Sequence, residues 1–359
     1  MKSTNALRRI AVVGCGEAGY EIHLPALALM KNREVVGACD SDNARRERIA
    51  KRYGTPVFES SGEMLERVKP DVLIVATPPD SHERVCLEGI AAGCHIICEK
   101  PFVGTVDAGE RIISAAERRN VGIALNHEFR EMPIFRSVVD AARREEKAPI
   151  FFAQLWQNAN LPPGEEGGWR GSMERRTLHE AGIHMVDLAL ALFGEMPVFA
   201  SSTMTGGGVA EGGNDGLVTV TLEFPNGRLA QLVQNRMCKG ETHYFEVRAD
   251  TRAASYRASF GGRARVTTGL YRSTLPHLRF DYGASGVSWV ERGSKRTLLA
   301  RNPPNPRVAA TRIVLERSLG AFEAGSPPPT SARSGLDALR VIDACYASAS
   351  SGSRVAIAQ

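Results

Sequence analysis

Three groups of residues in this chain have the types and spacing to do chemistry. The first is Gly14-Cys15-Gly16-Glu17-Ala18-Gly19, a G-x-G-x-x-G run that follows the apolar stretch 10–13 and opens a helical stretch, 20–30. In that setting Gly14 permits a tight turn, Gly16 lets the backbone approach a pyrophosphate, and Gly19 allows a helix to pack closely on a strand. Gly14, Gly16, Glu17, Ala18 and Gly19 are thus the candidate phosphate cradle of a dinucleotide site, with a helix N-terminus turned to the anion. Asp40 ends the next apolar run, where a carboxylate can accept hydrogen bonds from the adenosine ribose hydroxyls and repel a 2′-phosphate. NAD is therefore the expected cofactor, and Arg45 and Arg46, within a turn of Asp40, leave NADP open. The second group is Glu99-Lys100-Pro101, closing the apolar run HIIC. The carboxyl end of a parallel strand is where open α/β sheets bind ligands; the plainer alternative is a strand-ending ion pair. The third is Glu180, His184 and Asp187 in the otherwise apolar stretch 180–193. Spacings of four and three put them on one helical face, and charged groups on a buried helix are costly unless paired or open to a cleft. An imidazole with its ordinary pKa of about 6.5 suits general acid–base work. The alternatives are a satisfied core histidine and, for Asp187, a structural hydrogen bond.

The elements that must position these groups fall into two patterns. Up to about residue 126 short apolar runs alternate with helical stretches: RRIAVVG, EVVGACD, PVF, DVLIVATPP, HIICEKP and VGIALNHEF read as strands buried on both faces of a parallel, helix-covered sheet. From about residue 150 longer strands such as IFFAQLWQ, PVFASSTM, LVTVTLEF and LAQLVQNRM follow one another, the last two joined through the hairpin signal Pro225-Asn226-Gly227. A helix over 178–193 interrupts them, and helices over 306–323 and 334–350 close the chain. The expected fold is α/β: an N-terminal Rossmann dinucleotide-binding domain over 1–125, then an α+β domain over 126–359 with a large, mostly antiparallel sheet. The second binds substrate and mediates oligomerisation, and its last helices can pack back on the first.

Composition narrows the partners. The 359 residues are 43% hydrophobic, and 45 basic against 40 acidic residues give a net charge of +5 without a block of like charge. No basic face interleaved with aromatics points to nucleic acid. No apolar run approaches the ~20 residues that cross a bilayer, so the expectation is a soluble protein with no membrane partner. The first ten residues, MKSTNALRRI, do not read as an export signal. Seven cysteines, without a CxxC pair or a histidine at metal-ligand spacing, read as reduced thiols in the cytoplasm and give no metal site.

Further motifs occur in order along nearly the whole chain: His23-Leu24-Pro25-Ala26-Leu27, Ala76-Thr77-Pro78-Pro79 through Ser81-His82, Glu99-Lys100-Pro101, and Asn126 to Arg130 with Pro133. Then come Trp169-Arg170, Gly182-Ile183-His184-Met185-Val186-Asp187-Leu188, and Gly335-Leu336-Asp337-Ala338-Leu339. The ordered set resembles the Gfo/Idh/MocA oxidoreductases, the family of glucose-fructose oxidoreductase, inositol dehydrogenase and the rhizopine catabolism proteins. The resemblance implies that Lys100 and His184 flank the nicotinamide ring. It also implies that Thr77, Pro78, His82 and Glu99 line the cofactor, that Trp169 and Arg170 close over it, and that Lys100-Pro101 is a cis peptide. Asn126, Arg175, Arg176 and Asp187 are candidate substrate contacts. Two departures stand out: Glu180 replaces an aspartate common in relatives, and Glu174-Arg175-Arg176-Thr177 stands where relatives often carry glycines. The activity implied is NAD(P)-dependent interconversion of a secondary alcohol and a ketone on a sugar, sugar derivative or cyclitol, by a homodimer or homotetramer. In it His184 is the acid/base, Lys100 stabilises the substrate oxygen, and Glu180 orients His184 or binds another hydroxyl. A non-redox NAD-binding sensor, and a lyase or hydrolase that oxidises its substrate only transiently, are the alternatives.

Overall fold

The computed structural model describes residues 7–145, 148–160, 168–171, 173, 175–206, 215–239, 244–261, 264–271, 274–282 and 286–358. By mutual packing the chain forms two units, Met1–Glu131 with Arg307–Leu339, and Met132–Pro306 with Arg340–Gln359.

The first unit is built on strands β1 (Arg9–Val13), β2 (Glu34–Cys39), β3 (Val57–Phe58), β4 (Val72–Val75), β5 (His95–Cys98) and β6 (Ile123–Leu125). They form one sheet in the order β3-β2-β1-β4-β5-β6, every pair parallel. The reversal of direction at β1 and β4 is the switch point at which such sheets bind ligands. Residues of β1 alternate between two cores. Ile10 and Val12 pack with Ile74, Ile97, Leu24, Ile49, Leu315 and Leu319, while Ala11 and Val13 pack with Leu73, Val75, Ile96, Val85, Ile112 and Leu336. Both faces are therefore covered by helices, which is why these strands read as unbroken apolar runs. The helices are α1 (Leu24–Ala28), α2 (Asn43–Tyr53), α3 (Ser61–Val68), α4 (His82–Ala91), α5 (Val106–Arg119) and the single turn α6 (Glu128–Glu131). Caps fix where two of them begin: Asp42 accepts from the Arg45 N–H and Thr105 from the Ala108 N–H.

The second unit contains helices α7 (Pro133–Arg143) and α8 (Ile183–Phe193) and strands β7 (Phe152–Asn158), β8 (Phe199–Thr205), β9 (Leu217–Phe224), β10 (Arg228–Asn235), β11 (Tyr244–Asp250) and β12 (Ser255–Phe260). It continues with the separate hairpin β13 (Ala264–Tyr271) and β14 (Thr274–Tyr282), then β15 (Val287–Arg292) and β16 (Lys295–Arg301). Helix α9 (Pro306–Glu323) belongs to the first unit from Arg307 onward. The division falls inside α10 (Ala332–Ser351), and the chain ends on β17 (Val355–Ala356). The large sheet runs β16-β15-β12-β11-β7-β10-β9-β8-β17; β7 and β10 pair in parallel and the other pairs are antiparallel. Pro225-Asn226-Gly227 forms the β9–β10 turn with both Asn226 and Gly227 at positive φ, the geometry that makes Asn-Gly a hairpin signal. Helix α7 packs on β12, β15 and β16, and α8 on β7 and β10.

Candidate functional site

At the end of β1 the chain turns at Gly14, whose φ is +95° and whose N–H donates to the Cys39 carbonyl at 2.8 Å. A Cβ there would lie 2.4 Å from the Ala76 carbonyl, and one at Gly19 would lie 2.0 Å from the Gly14 oxygen, so the turn closes only with glycine. Gly16 is different: the nearest atom to its Cβ position is a nitrogen of Arg45 at 3.7 Å, so backbone is open to a ligand at this point. Glu17 and Ala18 then lead into a π-helical turn, Ala18–His23. Asp40, just past β2, is buried and held by its surroundings; one oxygen accepts from the Cys15 N–H at 2.7 Å and the other from the Asp42 N–H at 2.9 Å. Arg45, half-exposed, lies 3.5 Å from the same carboxylate. Arg46 donates to the Asp40 and Ser41 carbonyls, which fixes it to the backbone. A glycine cradle with open backbone beside a buried strand-end carboxylate fits a dinucleotide.

At the end of β5, Glu99 is buried beneath the Lys100-Pro101 bond, which is cis. Its Oε1 lies 2.8 Å from His23 Nε2 and accepts from the Asn126 side chain at 2.7 Å; Oε2 accepts from the Lys100 N–H at 3.2 Å. Burial alone would raise this carboxyl, but hydrogen bonding and charge from His23, the Asn126 amide and the Lys100 charge outweigh it and lower its pKa to about 2. Glu99 is thus an ionised anchor that fixes the backbone of Lys100, whose side chain is half-buried. Asn126, expected at the substrate, is fully buried, with its amide nitrogen directed to Glu99 and Thr311. His82, expected at the cofactor, is also fully buried. Its ring nitrogens lie 2.9 Å from the Thr77 carbonyl and 3.0 Å from the Phe102 carbonyl, tying the ends of β4 and β5 together. Burial lowers the His82 pKa against the opposing pull of these carbonyls. Next to it are Pro78 and the buried Thr77 hydroxyl, which has no hydrogen-bond partner among the described residues.

In the second unit the segment before α8 is a π-helical turn, Thr177–Ala181, where a regular helix was expected. Glu180 therefore lies in the π turn and His184 and Asp187 in α8, so the three do not share one α-helical face; all are buried. Asp215 fixes the start of the turn by accepting from the Arg176 and Thr177 N–H groups, at 2.9 and 2.7 Å, and from the Tyr346 hydroxyl at 2.7 Å. Burial, then the charge of Asp215, pushes the Tyr346 phenol far above its usual range. Arg175 pairs with Asp343 at 2.8 Å and lies over the Tyr346 ring but stays exposed, whereas Arg176 is buried and is not an open surface cation. Glu180 bridges two arginines: Oε1 is 3.4 Å from Arg170 Nε and Oε2 is 3.3 Å from the buried Arg236. The Arg170 guanidinium lies 4.6 Å over the Trp169 ring. Glu180 thereby links the Trp169-Arg170 segment to the root of the helix that carries His184.

Sequence reasoning gave no role to His23, Asp215 or Arg236. His23 lay within a quoted motif, but its link to Glu99 spans 76 residues and leaves no local pattern. Among the described residues no cluster of His, Cys, Asp and Glu could hold a metal ion, and no helix is long and apolar enough to cross a membrane.

Residues 8–127 match the model of an oxidoreductase family with the NAD-binding Rossmann fold, and 149–255 match the GFO/IDH/MocA C-terminal domain. The chain is 25% identical to D-apiose dehydrogenase of Paraburkholderia graminis over 98% of its own length and 91% of that protein. It is 28% identical to D-glucoside 3-dehydrogenase of Escherichia coli over 54% of this chain and 57% of the relative. Its fold matches an oxidoreductase from Agrobacterium radiobacter, solved in complex with NAD+, L-tartaric acid and magnesium, with a TM-score of 0.81 at 17% identity over 98% of both chains. With a glycine cradle and strand-end acid in one unit, a large mixed sheet in the other, and both domain models matched in order, this chain belongs to the Gfo/Idh/MocA oxidoreductase family, with an NAD-binding Rossmann domain.

Proposed function

We propose that the protein is an NAD-dependent dehydrogenase or reductase that interconverts a secondary alcohol and a ketone on a sugar, sugar derivative or cyclitol. The first unit holds the dinucleotide and the second binds substrate. The observation that carries the reading is the Glu99 anchor at the carboxyl end of a parallel strand: two buried contacts, with His23 and Asn126, hold the carboxylate, which in turn accepts from the Lys100 backbone N–H. Such fixed placement is what electrostatic stabilisation of a substrate oxygen requires. The relatives' names, D-apiose dehydrogenase and D-glucoside 3-dehydrogenase, support a polyhydroxylated substrate. Bound NAD supplies a hydride acceptor. His184 takes the hydroxyl proton in oxidation and returns it in reduction, and the Lys100 ammonium stabilises the charge that develops on the substrate oxygen. Glu180, between Arg170 and Arg236, holds the segment around the π turn in place.

The reading is tested by following absorbance at about 340 nm, the reduced-nicotinamide band, across a panel of sugars and cyclitols. With the substrate found, Lys100→Met and His184→Phe should each lower turnover by at least about a hundredfold while NADH binding persists. Near-unmodified turnover in both variants would refute these assignments. Tight NADH binding with no absorbance change on any substrate would favour a sensor. The large sheet of the second unit leaves Trp156 on β7, Leu229 on β10 and Leu298 on β16 exposed, and apolar groups on a sheet face support a homodimer or homotetramer. The free, mostly buried cysteines accord with a reducing, cytoplasmic setting.

A further inference from the structure

The phosphate-binding turn carries an acid. Glu17 stands between Gly16 and Ala18, in the stretch whose N–H groups take a pyrophosphate, and a carboxylate there opposes an anion. Arg307, the second residue of α9, lies against it, with one guanidinium nitrogen 3.6 Å from Glu17 Oε1. Nε of the same guanidinium is 3.3 Å from Glu128 Oε1. The two carboxylates differ in kind. Glu128 is 2% exposed at its side chain, and its other oxygen has no hydrogen-bond partner among the described residues. Glu17 is 60% exposed and Arg307 43%. The guanidinium is thus anchored on one side to a buried carboxylate, while its other side lies open beside the glycine turn.

We propose that Arg307 is a pyrophosphate-binding residue of the dinucleotide site, with Glu128 as its anchor and Glu17 as the partner it exchanges for the ligand. The exposed Glu17 pair is of the weak kind, stabilising by little in water. A guanidinium exchanging it for a phosphate group gains charge-assisted, bidentate hydrogen bonds. The buried Glu128 pair is of the kind that is costly to break, so the arginine keeps its place through the exchange. In the same step the positive charge that offsets Glu17 is turned to the ligand, which makes Glu17 a brake on affinity.

The test is the binding of NADH, and of ADP-ribose and adenosine as competitors, to the full-length protein by nicotinamide fluorescence. Arg307→Ala should weaken NADH and ADP-ribose about 10- to 100-fold and leave adenosine unchanged, Arg307→Lys should fall between, and Glu17→Gln should tighten NADH by about two- to fivefold. Since Arg307→Ala strands the buried Glu128 carboxylate and can impair folding, Arg307→Ala combined with Glu128→Gln removes both charges and should show the same selective loss. If this double variant binds NADH within twofold of the unmodified protein, or if adenosine weakens in parallel with NADH, Arg307 does not contact the pyrophosphate.

Discussion

Replacing Glu99 by Gln removes the charge and turns one of its two acceptor oxygens into an amide donor, while the side chain keeps its shape and its remaining oxygen can still meet His23 and Asn126. Buried, with its pKa lowered from 4.5 to about 2, the carboxylate contributes about 3 kcal/mol to the folded first unit at neutral pH, at roughly 1.4 kcal/mol for each tenfold in proton affinity. The folded value lies below the unfolded one. The contribution is therefore complete above about pH 4.5 and is lost as pH falls toward 2, about half of it by pH 3.2. Hydrogen exchange of the β4, β5 and β6 amides reads the opening free energy of this region. Corrected for intrinsic exchange, Glu99→Gln should open more easily than the unmodified protein by about 3 kcal/mol at pH 7, and by only about 2 kcal/mol at pH 3.5. A gap that stays constant across that range, or one below about 1 kcal/mol at neutral pH, would mean that Glu99 is not held ionised by its partners, and the argument for a fixed Lys100 would go with it.

Two further outcomes follow from the geometry. Asp40→Ser removes the acceptor for the Cys15 N–H and frees the nearby Arg45; it should weaken NADH by about tenfold or more while improving the relative affinity for NADPH, and tighter NADPH binding by the unmodified protein would overturn the NAD preference. Light scattering at micromolar concentration should give the mass of a dimer or tetramer, and a monomer mass would contradict the role given to the exposed sheet residues Trp156, Leu229 and Leu298.

The Rossmann half was legible because its physics is local. Strands buried on both faces must be apolar throughout, and the turn at Gly14 admits no side chain, so strand, turn and strand-end acid appear in the sequence in the order in which they fold. The hairpin at Asn226-Gly227 was legible for the same reason, since its backbone angles select those residues. The rest depended on contacts between distant residues. His23 with Glu99, Asp215 with Thr177 and Arg236 with Glu180 are separated by 76, 38 and 56 residues, and each is an ordinary polar residue in its own neighbourhood. The pattern over 178–193 showed a helix but not its first turn, because apolar periodicity is read against 3.6 residues per turn and cannot register a short stretch wound differently.

That winding bears on how the protein can change. The turn at Thr177–Ala181 and the one at Ala18–His23 are both π-helical, and each such turn holds about one residue more than the α-helix it interrupts. The wider winding takes up that extra residue, so losing it relaxes the turn to α geometry while the helix beyond keeps its phase. At Thr177–Ala181 the residue gained or lost falls between the Asp215 tether and His184. Homologues that gain or lose one residue here should therefore keep both the fold and the direction in which the His184 side chain leaves its helix, because the turn absorbs a change of length that a continuous α-helix would pass on as a rotation of roughly 100°.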